Sequence, residues 1–205
     1  MRAAYREHLD NFSHDLIVMC DTVRTILDKA SQALLQGVLD SAEDALTMTE
    51  ELDEIRARCS ERAVKLLALE SPMAQDLRQV VSSIYIVEDL YRMGRLAQHI
   101  ADSARRRHPE SVVPTNYMGY FEEMYRLTEE MGSVLHDILV TPDADLSVNL
   151  RTDDDAVDDI NSHILRILTQ RGWEGTVREA VETSQITRYY ERYADHCVSV
   201  AGHII

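Results

Sequence analysis

Asp154 and Asp158 stand four residues apart in the stretch TDDDAVDDI, and Glu191 and Asp195 stand four apart in YYERYADH. One helical turn separates such residues, so each pair projects from a single helix face. Like charges in this spacing cost helix stability, which sets the pairs apart from ordinary surface acids. If the two helices are antiparallel neighbours, the four carboxylates form an all-oxygen set. That chemistry suits a hard divalent cation such as iron, manganese, magnesium or calcium. Zinc suits it less, because His196 and His203 are not accompanied by a cysteine pair in ligand spacing. Each pair taken alone also fits a solvated acidic face, and acids near a helix start are favoured by its dipole.

The frame around Glu191 and Asp195 occurs once more, 100 residues earlier, as DLYRMGRL. There Arg92 stands for Arg192 and Gly94 for Ala194, while Tyr91 and Arg95 replace the two acids. ELDEI (51–55) pairs with AVDDI (156–160) at an offset of 105, which sets Thr49 against Asp154 and Asp53 against Asp158. The chain therefore carries one motif pair in two versions, an acidic one in its second half and a depleted one in its first.

The elements that position these residues are helices. Apolar residues recur at steps of three and four from Tyr5 to Leu34, then from Met48 to Leu66, and from Leu77 to Ile100. Gly37 ends the first helix, Asp40 and Glu43 resemble a capping box for the second, and Ser71-Pro72 opens the third. ARRRHPESVVPTN interrupts the pattern through Pro109 and Pro114. Three further stripes follow: Tyr117 to Ile138, Leu146 to Ile167 behind a Thr141-Pro142 start, and Val177 to Val200 after the break QRGWEG. No strand-like alternation is present. Three long helices, a linker and three long helices imply an internal duplication. The expected fold is all-α: two tandem three-helix bundles, residues 1–108 and 117–205, joined by 109–116. The change of offset places a five-residue loss at the turn between the second and third helices of the second repeat.

Composition narrows the function classes. A formal net charge of −15 argues against a general nucleic-acid surface. No apolar run is long enough for a membrane span, so no transmembrane helix is expected, and the N-terminus lacks a signal core. Cys20, Cys59 and Cys197 lack CxxC spacing and are expected to be reduced core thiols. No nucleophile, phosphate loop or His/Cys catalytic grouping lies near the acids, so no enzyme is expected. The competing class is a metal-binding or metal-dependent helical enzyme. Arg105 to Arg107 read as basic residues at a helix C-terminus.

SPMAQDLRQVVSSIYIVEDLYRMGRLA (71–97) and RYYERYADH (188–196), in this order and at this distance, resemble the repeats of the PhoU family of phosphate-uptake regulators. The resemblance spans essentially the whole chain. It implies a cytoplasmic negative regulator acting on the ATPase subunit of a Pst-type phosphate transporter and on a PhoR-type histidine kinase. It also implies contact with the membrane through partners only, and a homodimer. By the same resemblance, Asp154, Asp158, Glu191 and Asp195 match the family's metal-binding acids in the second repeat. In the first repeat, Arg95 is expected to pair with Asp53 or Glu50 and to supply the charge that a cation supplies elsewhere.

Overall fold

In the computed structural model, which describes residues 2–69 and 74–204, the apolar stripes become six long helices. They are α1 (Arg2–Gln36), α2 (Leu39–Leu69), α3 (Ala74–Arg107), α4 (Met118–Val140), α5 (Ala144–Thr169) and α6 (Val177–Ile204). No strand occurs among the described residues. The expected Ser71-Pro72 start of the third helix lies outside them.

Local chemistry sets the helix ends. Gly37 adopts φ 69°, and its N–H donates to the Ala33 carbonyl at 3.1 Å, an αL stop that a side chain would strain. α5 is capped by Asp143, whose carboxylate accepts from the N–H groups of Asp145 (2.8 Å) and Leu146 (3.2 Å). Thr141, expected to start that helix, instead ends α4. α6 opens on a reciprocal capping box. Glu179 N–H donates to Thr176 Oγ1 at 3.1 Å, while Thr176 N–H donates to Glu179 Oε2 at 2.7 Å. α2 starts one residue before Asp40, which sits in its first turn.

The duplication is visible in helix lengths. At the offset of 105 the first residues of α2 and α5, Leu39 and Ala144, coincide, but α2 has 31 residues and α5 has 26. Within the described residues the second repeat is therefore shorter at the C-terminal end of α5.

Among the described residues, α2 touches only α1 and α3, and α5 touches only α4 and α6. The inner helices α1, α3, α4 and α6 pack across the repeats, so one continuous apolar core runs through both, from Phe12 and Leu52 to Phe121 and Tyr190. Val112 and Val113 of the linker are buried in it. Cys20, Cys59 and Cys197 are free and buried, and burial raises each thiol pKa. Polar pairs also cross the repeat boundary. Ser31 Oγ of α1 meets the Tyr190 hydroxyl of α6 at 2.8 Å. Tyr125 of α4 donates to Asp28 of α1 at 2.6 Å.

α3 and α6 run antiparallel. Tyr85 stacks on His203 (centroids 5.1 Å apart), Asp89 meets His196 and Ser199, and His99 packs on Tyr189 (5.3 Å). At the offset of 100, Asp89 corresponds to Tyr189 and His99 to Ser199. The Asp89–Ser199 and Tyr189–His99 contacts are thus one contact written twice around a pseudo-twofold axis, with different chemistry at each end.

Candidate functional site

α5 and α6 are packed neighbours, and they bring the four acids of the second repeat into one field. Val157 on α5 and Tyr190, Tyr193 and Ala194 on α6 are fully buried, which fixes the faces on which the acids stand. Glu191 is 8% exposed, Asp154 and Asp195 are half-buried, and Asp158 is exposed.

Electrostatics record the convergence. The Asp154 carboxyl is pushed up to about 6, first by burial and then by the charges of Asp195, Asp158, Asp155 and Glu191. Asp158 is raised by burial and by Asp195 and Asp155, against the opposing pull of Arg188. Glu191 is raised by burial, opposed by Arg188, and raised further by Asp195 and Asp158. Among the described residues, Asp154 Oδ1 and Glu191 Oε2 are buried without a hydrogen-bond partner. Unpartnered buried carboxylate oxygens are costly and mark where a proton or a cation would be accepted.

Two arginines complete the site. Arg188 pairs with Glu191 Oε1, and Arg192 pairs with Asp195 Oδ2 at 3.0 Å. Both pairs are i, i+3 steps in RYYERYAD, a spacing too common on helix surfaces to single out a site. With these pairs formed, no group of three or more His, Cys, Asp or Glu side chains among the described residues is close enough to hold a metal ion. The donor set therefore has the chemistry of a hard-cation site, while its geometry is that of a partly neutralised carboxylate cluster.

The first repeat solves the same place differently. Thr49, at the position of Asp154, is buried and donates to the Leu46 carbonyl at 2.6 Å. Arg56 of α2 donates to both oxygens of Glu88 on α3, Nε to Oε1 at 3.0 Å and an Nη to Oε2 at 2.7 Å. Its guanidinium lies 4.1 Å above the ring of Tyr91, which holds the position of Glu191. Among the described residues Arg95 forms no ion pair with Asp53 or Glu50. The fixed cation is Arg56, which reaches across from α2 to α3 and lies over Tyr91.

Neighbouring groups hold α5 and α6 in place. Thr187 donates to Asn161 at 3.2 Å inside the bundle, and Tyr120 meets His163 at 3.0 Å. Among the described residues no helix is long and apolar enough to cross a membrane.

Comparison with known proteins adds a second, independent line. The PhoU domain model matches residues 16–104 and again residues 121–204. The Phosphate-specific transport system accessory protein PhoU homolog 2 of Mycobacterium tuberculosis is 42% identical over 205 residues, covering 100% of this chain and 96% of its own. PhoU homolog 1 of Mycobacterium leprae is 41% identical, covering 100% and 92%. The crystal structure of PhoU from Pseudomonas aeruginosa superposes with a TM-score of 0.91 at 24% identity, covering 98% of this chain and 97% of that one. The phosphate transport system regulatory protein PhoU from Streptococcus pneumoniae gives a TM-score of 0.85 at 19% identity, covering 98% and 94%. At these identities the two structures speak for the fold, and the twofold match of the domain model along nearly all of the chain speaks for descent. The chain belongs to the PhoU family.

Proposed function

We propose that this protein restrains phosphate uptake and the phosphate-starvation response when phosphate is plentiful. It acts as a cytoplasmic adaptor and not as a catalyst. Its partners in this reading are the ATPase subunit of a Pst-type phosphate transporter and a PhoR-type histidine kinase. The observation that carries the proposal is the full-length match to relatives named as accessory proteins of the phosphate-specific transport system, at 42% identity. The architecture supports it. α2 and α5 are flanking helices that each leave a long face outside the core, available to partner proteins at the membrane. The division into residues 1–108 and 117–205 about a 109–116 linker, and a homodimer, belong to the same reading.

Within it, Asp154, Asp158, Glu191 and Asp195 would hold a divalent cation, iron, manganese or magnesium. The unpartnered oxygens of Asp154 and Glu191 and the raised carboxyl of Asp154 fit such a group. A bound cation would supply positive charge and cross-link α5 to α6. Arg188 and Arg192 compete with it for Glu191 and Asp195. In the first repeat, Arg56 already supplies fixed charge, so cation binding is confined to the second.

The test is recovery of partners on the tagged protein from phosphate-replete cells. Enrichment of the transporter ATPase or the sensor kinase supports the adaptor. Absence of both, together with metal-dependent turnover of phosphate esters by the purified chain, would favour a helical metalloenzyme.

A further inference from the structure

The pseudo-twofold axis generates two clefts that the acidic site does not use. One lies where the start of α6 meets the end of α3, with a volume of about 560 Å³, and contains Arg178. Its counterpart lies where the start of α3 meets the end of α6, beside the end of α4, with a volume of about 720 Å³, and contains Arg78. Arg78 and Arg178 are equivalent at the offset of 100, but their surroundings differ. Arg178 is bound to Glu182 at 3.0 Å, and Glu182 also lies 3.4 Å from Arg107. Ser82 replaces Glu182 in the first cleft, and among the described residues Arg78 has no ion pair or hydrogen bond.

Every charged or polar side chain that lines the Arg78 cleft is a donor or can become one. They are Ser13, Arg78, Gln79, Ser82, Ser83 and His203. Among the described residues no carboxylate lines it, in a chain with 36 acidic residues. Ser83 is 6% exposed as a residue and lines the cleft, and among the described residues its hydroxyl makes no hydrogen bond, so it is free to donate to a ligand. His203 stacks on Tyr85, and its Nε2 lies 3.7 Å from Asp89 Oδ2, a carboxylate that is hydrogen-bonded to His196 and Ser199. The opposite wall is apolar and includes Leu16, Leu139 and Val140. The volume lies within the range of small-molecule sites.

We propose that this cleft binds a phosphorylated organic anion. The phosphate would sit on Arg78 with Ser82 and Ser83, and the organic body would lie against Leu139 and Val140. An arginine free of internal partners, neighbouring hydroxyl donors and an apolar wall match that chemistry. The second cleft differs because carboxylates already hold its three arginines, Arg178 and Arg107 on Glu182 and Arg106 on Asp102. The site holds whether or not the acids of the second repeat take a cation.

The test is titration of the full chain with adenosine monophosphate, adenosine and inorganic phosphate, followed by calorimetry and by amide chemical shifts. Adenosine monophosphate is expected to bind saturably, inorganic phosphate more weakly at the same amides, and adenosine not at all. Arg78→Gln should weaken binding about tenfold to a hundredfold. Ser82→Glu, which copies the second cleft, should abolish it, and Arg178→Gln should leave it unchanged. Thermal melts of the three variants confirm that each folds. No saturable binding at millimolar adenosine monophosphate, equal binding of adenosine, phosphate binding as tightly as the monophosphate, or equal loss in Arg178→Gln would each overturn the proposal.

Discussion

Leu52 of α2 occupies the space that a side chain on Gly94 of α3 would need: a Cβ built there would lie 2.2 Å from Leu52 Cδ2 and 3.4 Å from Val23 Cγ2. At the repeat offsets Gly94 corresponds to Ala194 and Leu52 to Val157, and all of Leu52, Ala194 and Val157 are fully buried. One repeat joins its second and third helices with a glycine and a leucine, the other with an alanine and a valine. The methyl group moves from one partner to the other and the packed volume is conserved.

Gly94→Ala alone should therefore overpack the first repeat and cost about 1–3 kcal/mol in urea unfolding. Leu52→Val alone leaves a small void and should cost about 0.5–1.5 kcal/mol. The double substitution reproduces the pair of the second repeat and should be less destabilising than the sum of the two. Additive costs would show that the two positions do not share that space.

Asp154 sets a pH dependence of stability. Its folded carboxyl is raised to about 6 from an ordinary 3.8, so the folded state holds the proton more tightly than the unfolded one. Stability should consequently fall as pH rises from about 4 through 6, with Asp158 and Glu191 acting in the same direction. Asp154→Asn should remove most of that slope and stabilise the protein at neutral pH by about 1 kcal/mol once solvent screening of this half-buried group is allowed for. Thermal melts at a series of pH values decide it. An unchanged slope in the variant would assign the effect elsewhere.

Asp89 acts with the opposite sign at the seam between the repeats. Burial alone would raise its carboxyl, but hydrogen bonds from His196 Nδ1 (2.9 Å) and Ser199 Oγ (2.8 Å) outweigh burial and hold it below the usual range. Its contribution is present above the ordinary carboxylate range and is lost as pH falls through the depressed value. Asp89→Ala should destabilise the protein by about 1–3 kcal/mol at neutral pH. It should also speed amide exchange along α3 and α6 more than along α2 and α5. Uniform acceleration across all six helices would mean that the seam has no separate stability.

Manganese titration reads the second repeat. Saturable binding should be present in the wild type and lost in Asp154→Asn with Glu191→Gln. Arg188→Gln frees Glu191 from its ion pair and should tighten binding. Tyr91→Glu with Arg95→Asp should add little, because Arg56 remains over that place in the first repeat. A wild type that binds no divalent ion at millimolar concentration would reduce the four acids to a strained acidic face.

The sequence disclosed what is local. The six stripes, the αL stop at Gly37 and the i, i+4 acid pairs all follow from residue spacing within one helix. Arg188 and Arg192 were equally local, but a basic residue three positions from an acid is common on any helix surface and does not announce a site. Arg56 was hidden for another reason: its reach to Glu88 and Tyr91 depends on how α2 is rotated against α3. The Asp89–His196 contact depends likewise on α3 docking against α6 across more than a hundred residues of chain. Val177 and Val181 belong to the sixth apolar stripe, yet they stand 81% and 50% exposed, because the first turns of α6 extend past the core. A helical period identifies the apolar face but not how much of its length another helix covers.

The most direct test of the account is phosphate uptake in cells. Radiolabelled phosphate uptake and starvation-gene expression should be measured in phosphate-rich medium, in a strain lacking this gene and any close paralogue, with and without the gene restored. The account predicts high uptake and an active starvation response in the deleted strain, both returned to the repressed level by the restored gene. Unchanged uptake and unchanged expression in the deleted strain would contradict it.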